Sequence, residues 1–158
     1  MKIDRILVPL DGSVLAEAAL DAAADFARAA SSTIVLLRAA EVHVFPGADP
    51  TDAQVRAVSE AEDYLARAAE RLRQHGVKEV QTSVWYGAPA ESIAEAARVR
   101  QADLMASHGR GGLGRLILGS VAESVLRSTD TPILLIRATG APLEGPTPGL
   151  RPREASRG

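Results

Sequence analysis

The chain has no cysteine, which excludes a disulfide framework, a thiolate metal centre and a cysteine nucleophile, and fits a reducing compartment. Aromatics are almost as scarce. Two Phe, two Tyr and one Trp in 158 residues leave the core to Ala, Val, Leu and Ile. No apolar run is long enough to cross a bilayer, and the run before Pro9 is too short for the core of a secretion signal, so a cytoplasmic protein is expected. Neither sign of charge is in excess: 18 Lys and Arg against 20 Asp and Glu give a formal net charge of -2. Without a basic face, neither nucleic acid nor an anionic membrane is an expected partner, and any anion site must be local.

What is present is an alternation of aliphatic runs and amphipathic stretches, over a length suited to a single domain. "RILVPL" (5–10) reads as a strand buried on both faces, ended by the turn Asp11-Gly12-Ser13. From Ser13, a capping residue, helical spacing runs through Leu15, Ala19, Ala22 and Phe26. "TIVLLRA" (33–39) is the second strand, and strand-helix-strand is the grammar of a parallel sheet. Thr51-Asp52-Ala53-Gln54 reads as a capping box, opening the longest helix, which runs to His75-Gly76. "EVQTSVWYG" (79–87) alternates as an edge strand does, and Pro89 starts a short helix. "ADLMAS" (102–107) is the fourth strand, a helix follows from Ser120 to about Ser128, and "TPILLIR" (131–137) is the fifth strand. A domain over 1–137 is expected, with a Pro- and Gly-rich tail over 138–158 that should be disordered.

The chemistry concentrates in "HGRGGLGRLILGS" (108–120). Gly109 to Gly114 spells G-x-G-x-x-G, but a dinucleotide fingerprint opens its helix at the last glycine, and here the helix opens at Ser120. Gly114 to Ser120 resembles a P-loop without its lysine, and Leu116, Ile117 and Leu118 fill the loop. A third reading uses the ends. Gly109 leaves the fourth strand and Gly119-Ser120 enters the fourth helix, so backbone N–H groups can meet a phosphate at that helix N-terminus while the middle glycines form a flexible span. The bland alternative makes Ser120 an N-cap accepting from the Glu123 N–H. The first and fourth strands both end there, at the place where strand order reverses in a doubly wound sheet.

On "ILVPLDGS", Gly87-x-Pro89 and above all "SHGRGGLGRLILGSVAESVL" leading into "TPILLIR", the sequence from Ile3 to Arg137 resembles the universal stress proteins of the UspA type. The resemblance implies an α/β fold: an open five-stranded parallel sheet, order 3-2-1-4-5, with helices on both faces, Rossmann-like and similar to the adenine nucleotide alpha hydrolases. It implies a cofactor, ATP or AMP or ADP, with or without Mg²⁺. In the nucleotide-binding branch, G-x-x-G, nine residues and G-S/T carry the ligand. Here the nine are Arg110 to Leu118, and Ala106 stands where that branch has its first Gly. Carried over residue by residue, the resemblance sets Asp11 near the ribose or a phosphate-bound Mg²⁺, with Pro9 beside it. Ala39 would meet adenine through its backbone, Met105 and Ala106 would line base and ribose, and Gly109, Gly119, Ser120 and Val121 would hold phosphates. From the residues alone, Asp11 is equally a turn residue shared with Ser13.

His43, His75 and His108 have no metal-ligand spacing, and His108 reads as a loop histidine before a general base. Arg110 and Arg115 could clamp a triphosphate or be solvated loop charge, and Trp85 and Tyr86 read as packing or interface. Three functions compete: an ATP-binding stress-response protein, a non-nucleotide-binding interaction protein of the same fold, for which Ala106 speaks, and a slow hydrolase, for which no base-nucleophile pair is found. The exposed fifth strand, where the family dimerises, suggests a homodimer.

Overall fold

A computed structural model describes residues 1–112, 115–117 and 119–137 of the chain. The aliphatic runs form strands β1 (Arg5–Pro9), β2 (Thr33–Ala40), β3 (Val80–Tyr86), β4 (Leu104–Gly112), β5 (Arg115–Ile117) and β6 (Ile133–Arg137). Between them lie α1 (Val14–Ala30), α2 (Pro50–Gln74), α3 (Pro89–Val99) and α4 (Ser120–Ser128). β1, β2, β3, β4 and β6 make the parallel sheet, running β3-β2-β1-β4-β6 across it. Counting parallel strands alone, this is the order 3-2-1-4-5. The tail over 138–158 lies outside the described residues.

The middle of each central strand is apolar on both sides, Ile6 to Val8 in β1 and Ile34 to Leu37 in β2, because both faces are covered. Ile6, Val8, Ile34, Leu36 and Ala106 join one core layer with Leu20 of α1 and Leu65 and Leu72 of α2. Leu7, Val35, Leu37 and Met105 join the other with Ile93 of α3 and Val125 of α4. At the amino ends, the Asp103 carboxylate accepts the backbone N–H groups of Asp4 and Arg5, both at 2.9 Å, and so ties β1 to the start of β4.

Three local expectations are corrected. β4 does not stop at Ser107 but runs to Gly112, and Arg110, Gly111 and Gly112 pair antiparallel with Ile117, Leu116 and Arg115. Gly111 and Gly112 are thus ladder residues and not a flexible span; their backbone groups find partners that side-chain periodicity could not announce. The longest helix is capped by Asp49, whose carboxylate accepts the Thr51 N–H at 2.8 Å, with Pro50 as its first residue. α4 has Gly119 at its N-cap and no side-chain cap, so Ser120 is the first helical residue. Ser13, by contrast, caps α1 as expected, accepting from the Ala16 N–H at 3.1 Å.

Candidate functional site

The crevice arises from a parting of strands. β1 pairs with β2 as far as Pro9 with Leu37, but with β4 only through Ile6 with Leu104 and Leu7 with Met105. Beyond Met105, β4 follows β6 instead, to Gly109 opposite Arg137. A cleft of about 560 Å³ opens at the carboxyl ends of β1, β2 and β4, a size suited to a small ligand.

On the β4 side the cleft meets the N-terminus of α4. The Glu123 N–H is the first to turn inward, bonding the Gly119 carbonyl at 2.9 Å, so the N–H groups ahead of it have no intrahelical acceptor. Gly119 has φ -69, an ordinary value, and a Cβ built on it would meet nothing within 4 Å. Neither the backbone conformation nor the described neighbours demand glycine here, and the space in front of the helix end is open. Ser120 is exposed, and its hydroxyl is not spent on a cap. N–H groups without an intrahelical acceptor, a favourable helix dipole and room for close approach among the described residues together make an anion-receiving end.

At the centre, Asp11 Oδ1 accepts the Ser13 backbone N–H at 2.9 Å. The turn reading of Asp11 is thus observed, and the residue lines the cleft as well. Partial burial pushes its carboxyl up, but hydrogen bonding from Ser13 and the charge of His108 outweigh burial and hold it below the ordinary carboxylate range. His108 lies in β4, opposite Ile136, and lines the cleft with Ser107. Among the described residues no three His, Asp or Glu are grouped to hold a metal ion.

On the β2 side stands a cation. Arg38 lies partly buried in a strand that is otherwise apolar, its guanidinium carbon 4.7 Å from the centroid of the Tyr64 ring. It also packs on Gly12, where a Cβ would fall 3.1 Å from Arg38 Nη1, and where φ is +85. Glycine is required at that turn both by conformation and by the neighbour. Burial and the nearby charge of Glu17 push the Tyr64 phenol up to about 12. Its hydroxyl is buried without a hydrogen-bond partner among the described residues.

Of the residues singled out from sequence, Pro9, Asp11, Ala39, Met105, Gly119, Ser120 and Val121 come together around the cleft. Ala106 does not: at 0% exposure its methyl belongs to the α1–α2 core layer, while Met105, Ser107 and His108 of the same strand line the cleft. Gly109 stands in β4 in register with Arg137. Sequence reading passed over Arg38, Glu41 and Glu60, which also line the cleft. A single Arg inside "TIVLLRA" was the available signal, since a charge in a buried strand needs a reason. A groove of about 870 Å³ beside α3 is larger, but its carboxylates are partly engaged, Asp103 by β1 and Glu95 by Arg98.

Residues 2–137 match the universal stress protein family. A universal stress protein of Methanocaldococcus jannaschii is 30% identical over 140 residues, covering 84% of this chain and 81% of the relative. A solved structure from the same family in Burkholderia pseudomallei superposes with a TM-score of 0.70 at 31% identity, over 85% of this chain and 96% of that one. Two further structures agree in fold. A universal stress protein in complex with cAMP has a TM-score of 0.70 at 22% identity, over 88% of this chain and 100% of that one. Another, from Archaeoglobus fulgidus in complex with dAMP, has a TM-score of 0.65 at 24% identity, over 85% of this chain and 98% of that one. Sheet order, the parting of β1 from β4 and the match over nearly all of the described residues lead to one conclusion: the chain belongs to the universal stress protein family.

Proposed function

We propose that the cleft binds an adenine nucleotide, ATP or its mono- or diphosphate, and that the protein acts in the cytoplasm as a homodimeric stress-response protein whose conformation or partners follow nucleotide occupancy. The carrying observation is the N-terminus of α4, which among the described residues has no side-chain cap, open space at Gly119 and a Ser120 hydroxyl not used as a cap, on a cleft of nucleotide size. Phosphates would meet the N–H groups of Ser120 and Val121, with Gly109 nearby on β4. The ribose would meet Asp11, beside Pro9 and Met105, and the base would meet the backbone of Ala39. Mg²⁺, where present, would arrive on the phosphates, with Asp11 the carboxylate beside it, since no ready-made metal group stands among the described residues.

Bound cAMP and dAMP in two fold relatives support an adenine ligand. β6 at the sheet edge, with Leu126 of α4 53% exposed, supports pairing with a second copy. Among the described residues no helix is long and apolar enough to cross a membrane. The reading as a non-binding interaction protein rested on the methyl of Ala106, which is spent in the core.

Calorimetric titration with ATP and Mg²⁺ tests the proposal, set against Gly119→Val, whose branched side chain would occupy the space before the helix. Saturable heat in the wild type and its loss in a folded Gly119→Val is the expected pair of results. No heat in the wild type, or equal affinity in the variant, would refute the phosphate site.

A further inference from the structure

Arg38 is left unused by the phosphate and base contacts proposed above. It is the sole Lys or Arg among the described lining residues, in company with the carboxylates of Asp11, Glu41 and Glu60. Two contacts that consume no donor hold its guanidinium: the ring of Tyr64, at 4.7 Å, and the backbone at Gly12, where a Cβ would come within 3.1 to 3.5 Å of three guanidinium atoms. Among the described residues it makes no ion pair, so its donors remain available to a ligand. Gly12 follows Asp11 directly, which sets the cation beside the turn that carries the carboxylate.

We propose that Arg38 reads the sugar: its guanidinium donates to the hydroxyl oxygens of the ribose whose protons Asp11 accepts, so the cleft selects ribonucleotides over deoxynucleotides. This rests on the nucleotide reading and deepens it. A hydroxyl both donates and accepts, whereas an ionised carboxylate only accepts and a guanidinium only donates. A vicinal diol satisfies both at once. The carboxylates of Asp11, Glu41 and Glu60 that line the same cleft disfavour a second phosphate there and do not disfavour a neutral diol. Arg38 lies at the carboxyl end of β2, two residues before the strand ends, and lines the cleft there. Tyr64 and Gly12 act as positioning residues, the one by its ring and the other by lacking a Cβ.

The test is a set of calorimetric dissociation constants for ATP, 2′-deoxy-ATP, 3′-deoxy-ATP and AMP. Wild type should bind ATP roughly tenfold or more tightly than at least one deoxy analogue, as expected for a lost hydrogen bond to a charged group. Arg38→Met, which keeps an unbranched side chain over Tyr64 without donors, should lower that ratio severalfold, the part that remains being the contact with Asp11. The ratio of ATP to AMP affinity should stay unchanged, because the phosphate end is untouched. Arg38→Lys, the second variant should the first misfold, should lower the ribose preference because an ammonium lacks the planar fork. A wild-type ratio near one, or a preference left undiminished by the loss of the guanidinium, overturns the inference while leaving the nucleotide reading standing. Failure of wild type to bind ATP removes the nucleotide reading, and this inference with it.

Discussion

Asp11 accepts the backbone N–H of Ser13 at 2.9 Å, and Ser13 in turn accepts the N–H of Ala16 at 3.1 Å, so the turn after β1 and the first turn of α1 are one hydrogen-bonded unit. The Asp11 carboxyl is held below its ordinary value of 3.8, and a lowered acid contributes stability while ionised. That contribution is complete above the unfolded value and fades as pH falls through the lower folded one. Thermal melts of wild type and Asp11→Asn should therefore differ by a constant amount from neutral pH down to about pH 5, then converge in stronger acid. A gap that widens on acidification would contradict the assignment.

Tyr64 gives the opposite window. A phenol raised to about 12 from an ordinary 10 stabilises the fold fully below pH 10 and loses that stabilisation as pH climbs toward 12. The absorbance difference between wild type and Tyr64→Phe, followed in alkali, should show this phenolate appearing about two units above a free tyrosine, or together with unfolding. Because its buried hydroxyl has no hydrogen-bond partner among the described residues, Tyr64→Phe should be neutral or more stable by up to about 1 kcal/mol. A loss of more than that in a melt would mean the hydroxyl has a partner after all.

Two glycines should part company. At Gly12, φ of +85 and a guanidinium 3.1 Å from the Cβ position predict that Gly12→Ala costs about 1–2 kcal/mol and displaces Arg38. At Gly119, an ordinary φ and open space predict that Gly119→Ala leaves the melting temperature unchanged. Equal effects of the two substitutions would show that the turn at Gly12 is not constrained.

Ala106→Gly is a further discriminating change. With its methyl in the core, removal should destabilise by about 1 kcal/mol through lost burial and added backbone freedom. Nucleotide affinity should remain within about twofold of wild type. An affinity gain of tenfold would mean that the methyl reaches the cleft.

These residues also mark how much could be read in advance. Strand and helix positions followed from apolar periodicity, and Asp11, Met105 and Gly119 were placed at one cleft by the rule that ligands gather where strand order reverses. The direction of the Ala106 side chain was not legible, since a strand buried on both faces has no polar alternation to fix its phase. The β4–β5 pairing was hidden for a related reason. Gly111 and Gly112 contribute backbone bonds only, and backbone bonds leave no pattern in side chains. Arg38 needed α2 to be placed before its support by Tyr64 could be seen, 26 positions along the chain.

The clasp of Asp103 on Asp4 and Arg5 reaches across 99 and 98 positions of sequence. β1 lies at the middle of the sheet, yet one of its two neighbours is made a hundred residues after it. During synthesis the hairpin-like contacts of helices form early, while the interior edge of β1 waits, unpaired and aliphatic, for β4 to leave the ribosome. A strand made early is thus enclosed late, once β4 supplies its second neighbour.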